Sequence, residues 1–166
     1  QDLLTREGHE LTGPPSLHAA LIQGGTEVST YADRCTLKLE RRTVPGEKIS
    51  EATVELQAII DRLAEQDSSF RATIKSTFWR EPFEVTREAE IVQILDKVLD
   101  TRLGHHPAHS GQTFWTDAAL FADAGMETVL LGPKGYGLHS AEEWVDVESL
   151  VDLAHVLAET AIGYCN

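Results

Sequence analysis

The stretch 116–139, TDAALFADAGMETVLLGPKGYGLH, has the order of a helix, a short apolar strand and a glycine-rich loop. Asp117 sits where a helix cap is expected, and Gly125 ends the predicted helix. The run 128–131, TVLL, is apolar without alternation, which is typical of a buried parallel strand. His139 then follows the strand at its carboxyl end. This order predicts part of an α/β domain.

Helices are predicted on both sides of this stretch. Residues 88–103 carry apolar side chains at helical spacing and are followed by Gly104 as a stop signal. A final amphipathic helix is predicted from about Val147 to Tyr164. One short strand with three helices buries itself poorly, so we expect residues 86–166 to be the C-terminal section of an α/β domain.

Residues 1–85 have a different pattern. Strands are predicted at 16–23, 26–42 and 70–83, and a helix capped by Ser50 runs to about residue 66. This order predicts an antiparallel α+β layer. An added upstream strand and helix would complete a ferredoxin-like βαββαβ unit, so the layer is read as an incomplete domain of that class.

The second predicted strand also suggests which face is buried. Cys35, Leu37 and Leu39 alternate with polar residues, which predicts one buried and one solvated face. The chain has only two cysteines, Cys35 and Cys165, too few for a disulfide framework. We expect both to be reduced and partly buried.

The composition argues against nucleic acid and membranes as partners. The 166 residues are 42% hydrophobic, and 14 Lys and Arg against 27 Asp and Glu give a net charge of −13. Such a chain repels phosphate backbones, so no nucleic-acid partner is expected. No apolar run reaches bilayer length, so no membrane association is expected. The chain starts at Gln1 without a visible signal peptide, so we expect a cytoplasmic protein that lacks an upstream segment.

Two histidine groups are candidate metal ligands. His139 lies where ligands gather in open α/β sheets, although a solvated loop histidine fits the same position. His105, His106 and His109 are close enough in sequence to share a metal. The sequence places no cysteine or carboxylate in that loop, so the alternative is again three solvated side chains.

Arg42 is a candidate anion-binding residue. It ends a predicted strand just before a Pro-Gly turn, where it is able to bind a carboxylate through two parallel hydrogen bonds. A surface salt bridge to Glu40 or Glu47 is the alternative. Arg41 alternates to the opposite face, so the two arginines do not point at one ligand. Adjacent Glu142 and Glu143 point apart and do not form an acid–base pair.

Several short motifs occur together in order. The first half contains Gly24-Gly25-Thr26, Asp33-Arg34-Cys35-Thr36-Leu37 and the turn Glu40 to Glu47, ERRTVPGE. The second half contains Thr116-Asp117-Ala118, Ala124-Gly125-Met126, Gly132-Pro133 and the run His139 to Val145. Together they resemble the lid, or dimerisation, domain and the end of the catalytic domain of the zinc-dependent acetylornithine deacetylase, succinyl-diaminopimelate desuccinylase, aminoacylase and carboxypeptidase family.

The resemblance implies roles for five residues. Family members use two zinc ions, with cobalt or manganese as alternatives, to hydrolyse amides. His139 matches the last zinc-binding histidine, and Arg42 matches the arginine that binds the substrate carboxylate. Ser29 replaces a common lid asparagine that contacts substrate. Glu143 and Asp117 match residues that support the site or the fold. The lid domain implies a homodimer.

The upstream ligand motifs of that family are absent from these 166 residues. We therefore expect a fragment of an enzyme that cleaves N-acyl amino acids or small peptides, inactive on its own because a catalytic zinc needs about three protein ligands. One alternative is a non-catalytic dimerisation or binding module. Another is a different α/β enzyme whose metal site is the histidine loop, and a third is an unrelated α+β domain without a site.

Overall fold

The computed structural model describes residues 3–166, which form two compact units. The first unit contains the chain up to Pro82 together with Ser110–Trp115, and the second contains Phe83–His109 and Thr116–Asn166. The sequence predicted one division, between residues 85 and 86. The chain instead returns briefly to the first unit after the first helix of the second.

The first unit is built on an antiparallel strand pair and one long helix. A short 3-10 helix at Leu3–Thr5 precedes β1 (Ser16–Gly24), β2 (Cys35–Arg42) and α1 (Ile49–Gln66). The register runs from Ser16 opposite Arg42 to Gly24 opposite Cys35 and skips Ala20, which forms a bulge. The predicted second strand is thus shorter than expected, because residues 26–34 form the connection.

The start of α1 differs from the prediction that Ser50 is its cap. The helix begins at Ile49, one residue earlier. The carboxylate of Glu51 accepts a hydrogen bond from the backbone N–H of Lys48 at 3.4 Å. A first-turn carboxylate therefore takes the place of the predicted serine cap.

The predicted buried face of β2 is not buried. Leu37 and Leu39 are 52% and 39% exposed, and on β1 the side chain of Ile22 is 75% exposed. Alternation along a strand predicts which side chains share a face, but burial needs a second layer to cover that face. The strand pair of this unit leaves its apolar side chains largely in contact with solvent.

The predicted strand over 70–83 is wrong, because this segment has neither helix nor strand. The first unit therefore has two paired strands among its described residues, and the ferredoxin-like arrangement stays a prediction. The segment ends in an aromatic group, where the guanidinium of Arg80 lies 4.5 Å from the ring centre of Phe78 and 5.4 Å from that of Trp115.

The second unit is mainly helical. It contains α2 (Glu90–Leu103), α3 (Ala118–Asp123), β3 (Gly135–Tyr136), β4 (Trp144–Val145) and α4 (Val147–Cys165). Helices α2 and α4 pack together, and Val156 at 2% exposure is the most deeply buried large side chain. As predicted, α2 ends at Gly104, whose φ of 71° is left-handed.

The apolar run 128–131 does not form the predicted buried strand. It has no strand pairing, and Leu130 is 46% exposed. A parallel strand is buried by neighbouring strands of its own sheet and by helices on both faces. The only strand pairing among the described residues of this unit is the short β3–β4 hairpin, Gly135 opposite Val145 and Tyr136 opposite Trp144.

Both cysteines, Cys35 and Cys165, are free and exposed. The expectation of partial burial is wrong, and the expectation of reduced thiols stays a prediction. Within residues 3–166, no helix is long and apolar enough to cross a membrane.

Candidate functional site

The end of β2 presents the side chain of Arg42 to solvent. Its Nε donates to Glu40 Oε1 at 3.3 Å and its Nη1 donates to the carbonyl of Thr113 at 3.4 Å. Its Nη2 makes no hydrogen bond to any residue that the structure describes. Both contacts are long for hydrogen bonds, and 40% of the side chain is exposed. Arg42 is therefore held loosely, with donors available to a ligand.

Arg41 has the opposite environment. Only 8% of its side chain is exposed, and its Nη2 lies 2.6 Å from Glu47 Oε1. The same guanidinium donates from Nη1 to the carbonyl oxygen of Arg42 at 2.7 Å. The prediction that the two arginines face different ways is confirmed. The salt bridge predicted for Arg42 forms with Glu40, while Glu47 pairs with Arg41.

Glu47 also closes the turn that follows β2. Its Oε2 accepts from the backbone N–H of Val44 at 3.1 Å, and its own N–H donates to the carbonyl of Val44 at 3.1 Å. Gly46 within the turn has a φ of 92°, a conformation that side chains rarely adopt. Nη1 of Arg6 lies 3.5 Å from Oε1 of Glu47, the oxygen that Arg41 also contacts. The Pro-Gly-Glu motif thus builds a rigid turn next to Arg42.

Ser29 lies in the same unit, in the exposed connection between β1 and β2. Among the described residues, no hydrogen bond or ion pair links Ser29 to Arg42. The role of Ser29 in substrate binding therefore stays a prediction, carried by its position in the sequence alone.

His139 lies at the tip of the β3–β4 hairpin. Its side chain is exposed. Among the described residues, His139 is the only one other than glycine with a left-handed backbone, at a φ of 63°. The N–H of Ser140 donates to the carbonyl of Gly137 at 2.8 Å, and the hydroxyl of Ser140 donates to the carbonyl of Glu142 at 2.6 Å. The tight turn below His139 thus presents its imidazole to solvent in an unusual backbone conformation, a feature that often marks functional sites.

Asp117 and Glu143, the two residues predicted to support the site, make no hydrogen bond or ion pair with His139 among the described residues. Asp117 precedes α3, but its side chain makes no capping hydrogen bond. The hydroxyl oxygen of Thr116 instead accepts from the N–H of Ala118 at 3.3 Å. Asp117 occupies the predicted N-cap position, but its carboxylate does not cap the helix, and its backbone already has helical angles. Glu143 is exposed in the hairpin loop and makes no hydrogen bond or ion pair with His139 or Asp117 in the described chain.

The histidine loop contains a carboxylate contact that the sequence did not predict. Nε2 of His109 lies 2.8 and 3.0 Å from the two carboxylate oxygens of Asp96 on α2. The ring of His106 is 6.5 Å from that of His109, centre to centre. The assumption of a loop without a nearby carboxylate is therefore wrong. Because Asp96 is 13 residues away, only the fold reveals it.

The donor set of this chain does not by itself fit a zinc centre. In residues 3–166, no group of three or more His, Cys, Asp or Glu side chains is placed to hold a metal. A catalytic zinc takes three protein ligands and keeps one open position. His139 offers one such donor, so a metal at this position requires ligands beyond those described.

Comparison with known sequences decides the family. Residues 8–162 match the profile described as Peptidase family M20/M25/M40, which covers most of the chain. The chain belongs to this family. The resemblance inferred from the ordered motifs is therefore confirmed, and the matched residues include both Arg42 and His139.

The curated relatives of this M20 chain are hydrolytic enzymes by name. Acetylornithine deacetylase of Myxococcus xanthus is 27% identical over 155 residues, which are 92% of this chain and 39% of that enzyme. N-formyl-4-amino-5-aminomethyl-2-methylpyrimidine deformylase of Bacillus subtilis is 25% identical over 167 residues, 93% of this chain and 39% of that enzyme. Succinyl-diaminopimelate desuccinylase of a Nitratiruptor species is 29% identical over 87 residues, 52% of this chain and 24% of that enzyme.

The chain spans about two-fifths of the length of the first two of these relatives. All three names describe removal of an acyl group, which is acetyl, formyl or succinyl. The names of these relatives support an amide-hydrolysing family.

Proposed function

We propose that this chain is the carboxylate-binding part of an M20 amidohydrolase that cleaves N-acyl amino acids or small peptides. The observation that carries the proposal is the exposed guanidinium of Arg42 at the end of β2. It lies in the ERRTVPGE motif, within the residues that match the family.

The contacts of Arg42 support this role. Its two hydrogen bonds are 3.3 and 3.4 Å long, so little is lost when they are exchanged for a ligand. A planar guanidinium binds a carboxylate through two parallel, charge-assisted hydrogen bonds. The chain is strongly acidic, yet this arginine has only one long contact with a carboxylate, that of Glu40. A substrate carboxylate is therefore a suitable partner.

His139 has the complementary part in the proposal. It would contribute one imidazole ligand to a zinc centre whose remaining ligands lie outside these residues, and the metal would supply Lewis-acid activation of an amide and its attacking water. Cobalt or manganese would suit the same chemistry. Because the described donor set does not fit a complete centre, we expect the 166-residue chain alone to be inactive.

Steady-state kinetics of the full gene product test the role of Arg42. The substrates are N-acetylornithine and its carboxamide, which lacks the negative charge. Charge-assisted hydrogen bonds contribute about 1.5–3 kcal/mol, so Arg42→Ala should lower kcat/KM for the acid by roughly tenfold to hundredfold. The carboxamide should be cleaved equally by both proteins. Equal losses for acid and carboxamide would contradict carboxylate binding by Arg42.

Assays of the isolated chain test its expected inactivity. The 166-residue chain, supplied with zinc, should not hydrolyse N-acetylornithine above the uncatalysed rate. Chelator-sensitive hydrolysis by this chain would show that the described residues hold a working centre after all.

A dimerisation role is a second candidate, favoured by the strand pair of the first unit. Leu21, Ile22 and Leu37 are 61%, 75% and 52% exposed. A sheet with exposed apolar side chains and free edges is suited to pairing with a second copy. Light scattering of the isolated chain, with its binding of zinc and N-acetylornithine measured alongside, tests this role. A dimer that binds neither zinc nor substrate favours a binding module, and a monomer contradicts the dimerisation role.

A further inference from the structure

We propose that Arg41 is a positioning residue that fixes the backbone of Arg42 and so directs the Arg42 guanidinium toward a substrate carboxylate. This inference rests on the proposed carboxylate-binding role of Arg42. It assigns to Arg41 and Glu47 the task of keeping a loosely held side chain in one place.

The contacts of Arg41 form a fork. Nη1 donates to the carbonyl oxygen of Arg42 at 2.7 Å, and Nη2 lies 2.6 Å from Glu47 Oε1. Both distances are short, in contrast to the long contacts of Arg42 itself. The two amino groups of one planar guanidinium therefore connect the main chain of Arg42 to the carboxylate that closes the following turn.

This connection matters because Arg42 is the last residue of β2. Its partner across the sheet is Ser16, the first residue of β1, so the ladder does not continue beyond it. A strand end normally moves more than the strand interior. Holding the carbonyl of Arg42 restricts its backbone angles and with them the direction of its Cα–Cβ bond.

Burial makes the arrangement stiff. The side chains of Arg41 and Glu47 are 8% and 18% exposed, so water competes little for their contacts. Nε of Arg41 is buried without a hydrogen-bond partner among the described residues.

The fork geometry also predicts which replacements fail. A lysine carries one ammonium group and reaches either the carbonyl of Arg42 or the carboxylate of Glu47 in good geometry, but not both as a planar fork. Methionine keeps the apolar stem and loses both contacts. We therefore expect a graded loss, with Arg41→Lys milder than Arg41→Met.

The test is a double-mutant cycle on the full gene product, read as the ratio of kcat/KM for N-acetylornithine to that for its carboxamide. Arg41→Met should lower this ratio about tenfold and Arg41→Lys about threefold, mainly through KM for the acid. In an Arg42→Ala background, Arg41→Met should lower the ratio no further, because Arg41 acts through Arg42.

Arg6→Met is the matched control. It removes the contacts of Arg6 with Glu47 and Glu55 at the same turn but touches no atom of Arg42. The ratio should stay within about twofold of wild type, because the contact of Arg6 with Glu47 is long, 3.5 Å, and Arg41 keeps both of its own contacts. Thermal unfolding of every variant identifies proteins that have lost their fold, and Arg41→Lys keeps the test open if Arg41→Met is one of them.

Four results would contradict the inference, and they separate its two parts. If Arg41→Lys and every folded Arg41 variant keep the wild-type ratio, or if Arg41→Met has the same effect with and without Arg42, positioning by Arg41 is wrong while carboxylate binding stands. If Arg42→Ala itself leaves the ratio unchanged, or the full gene product hydrolyses neither substrate, the proposed function fails and this inference fails with it.

Discussion

The carboxylate of Glu127 accepts a hydrogen bond from the backbone N–H of Ile91 at 2.9 Å, although 36 residues separate the two. It also accepts from the N–H of Glu90 at 3.3 Å. Helix α2 has no capping side chain of its own at Ala89, so its first N–H groups would otherwise lack partners. A distant carboxylate satisfies them and places negative charge at the positive end of the helix dipole.

Removing this carboxylate should destabilise the second unit. Glu127→Ala leaves the first N–H groups of α2 to water, and losses of this kind cost about 1 kcal/mol. The free energy of unfolding, measured by urea titration with circular dichroism, should fall by about that amount. Glu142→Gln is the control, because the exposed Glu142 carboxylate makes no hydrogen bond or ion pair to a described residue. Equal stability of the Glu127 variant and wild type would refute the capping role.

The contact between α2 and α4 should depend strongly on Val156. This side chain is 2% exposed, so Val156→Ala removes two methyl groups from a packed position, at a cost of about 2 kcal/mol. Val151 on the same helix is 55% exposed, and Val151→Ala should change the unfolding free energy by less than about 0.5 kcal/mol. Similar losses for both variants would mean that α4 does not bury Val156 in solution.

The C-terminal end of α1 should contribute to acid sensitivity. The hydroxyl and the N–H of Ser69 donate to Asp67 Oδ1 at 2.6 and 2.8 Å, and in that order they hold the pKa of Asp67 below its ordinary value of 3.8. A lowered folded pKa means that the stabilisation is present above the unfolded pKa and is lost as the pH falls through the folded one.

Carboxyl carbon NMR between pH 2 and 6 measures the pKa of Asp67 directly. We expect a value below the ordinary 3.8 in the wild-type chain and a shift toward it in Ser69→Ala, which removes the hydroxyl donor. Ser68→Ala is the control, because the Ser68 hydroxyl makes no hydrogen bond in the described chain. An unchanged pKa in Ser69→Ala would show that this hydroxyl does not stabilise the carboxylate.

The left-handed backbone of His139 separates a structural from a metal-binding role. A residue other than glycine pays roughly 1–2 kcal/mol for this conformation, so His139→Gly should fold at least as well as wild type. If His139 binds metal, the same variant of the full gene product should lose bound zinc, measured by elemental analysis. His139→Asn tolerates the same backbone angles and should behave alike. Full zinc content in both variants would rule out His139 as a ligand.

The helices were predictable from the sequence because their signals are local. The apolar spacing and Gly104 indicated α2, and the final amphipathic run indicated α4, each within two residues of the observed bounds. The strand pair was also predictable, because β1 and β2 are neighbours along the chain and each has its own local pattern. Arg42 and Arg41 were correctly placed on opposite faces, since alternation along a strand is a local property.

The remaining features depend on residues that are far apart along the chain. Residues 70–83 and 128–131 have strand-like patterns, but strand formation needs a hydrogen-bonding partner that the pattern does not name. The contacts of Glu127 with α2 and of His109 with Asp96 are equally invisible in a linear reading. The sequence identified Arg42 as a candidate for the site. The two contacts of Arg41 could not be predicted, because they depend on how the turn brings Glu47 back toward β2.

The return of Ser110–Trp115 to the first unit has a practical consequence for dissection of the protein. Ending the chain after Pro82 would discard this segment, including the carbonyl of Thr113 that Arg42 contacts and the ring of Trp115 that Arg80 faces. The second unit would in turn keep six residues that belong elsewhere. Exchanging the first unit between homologues therefore means exchanging two separate segments of sequence at once. A single crossover would produce chimaeras in which Ser110–Trp115 and the rest of the first unit come from different proteins.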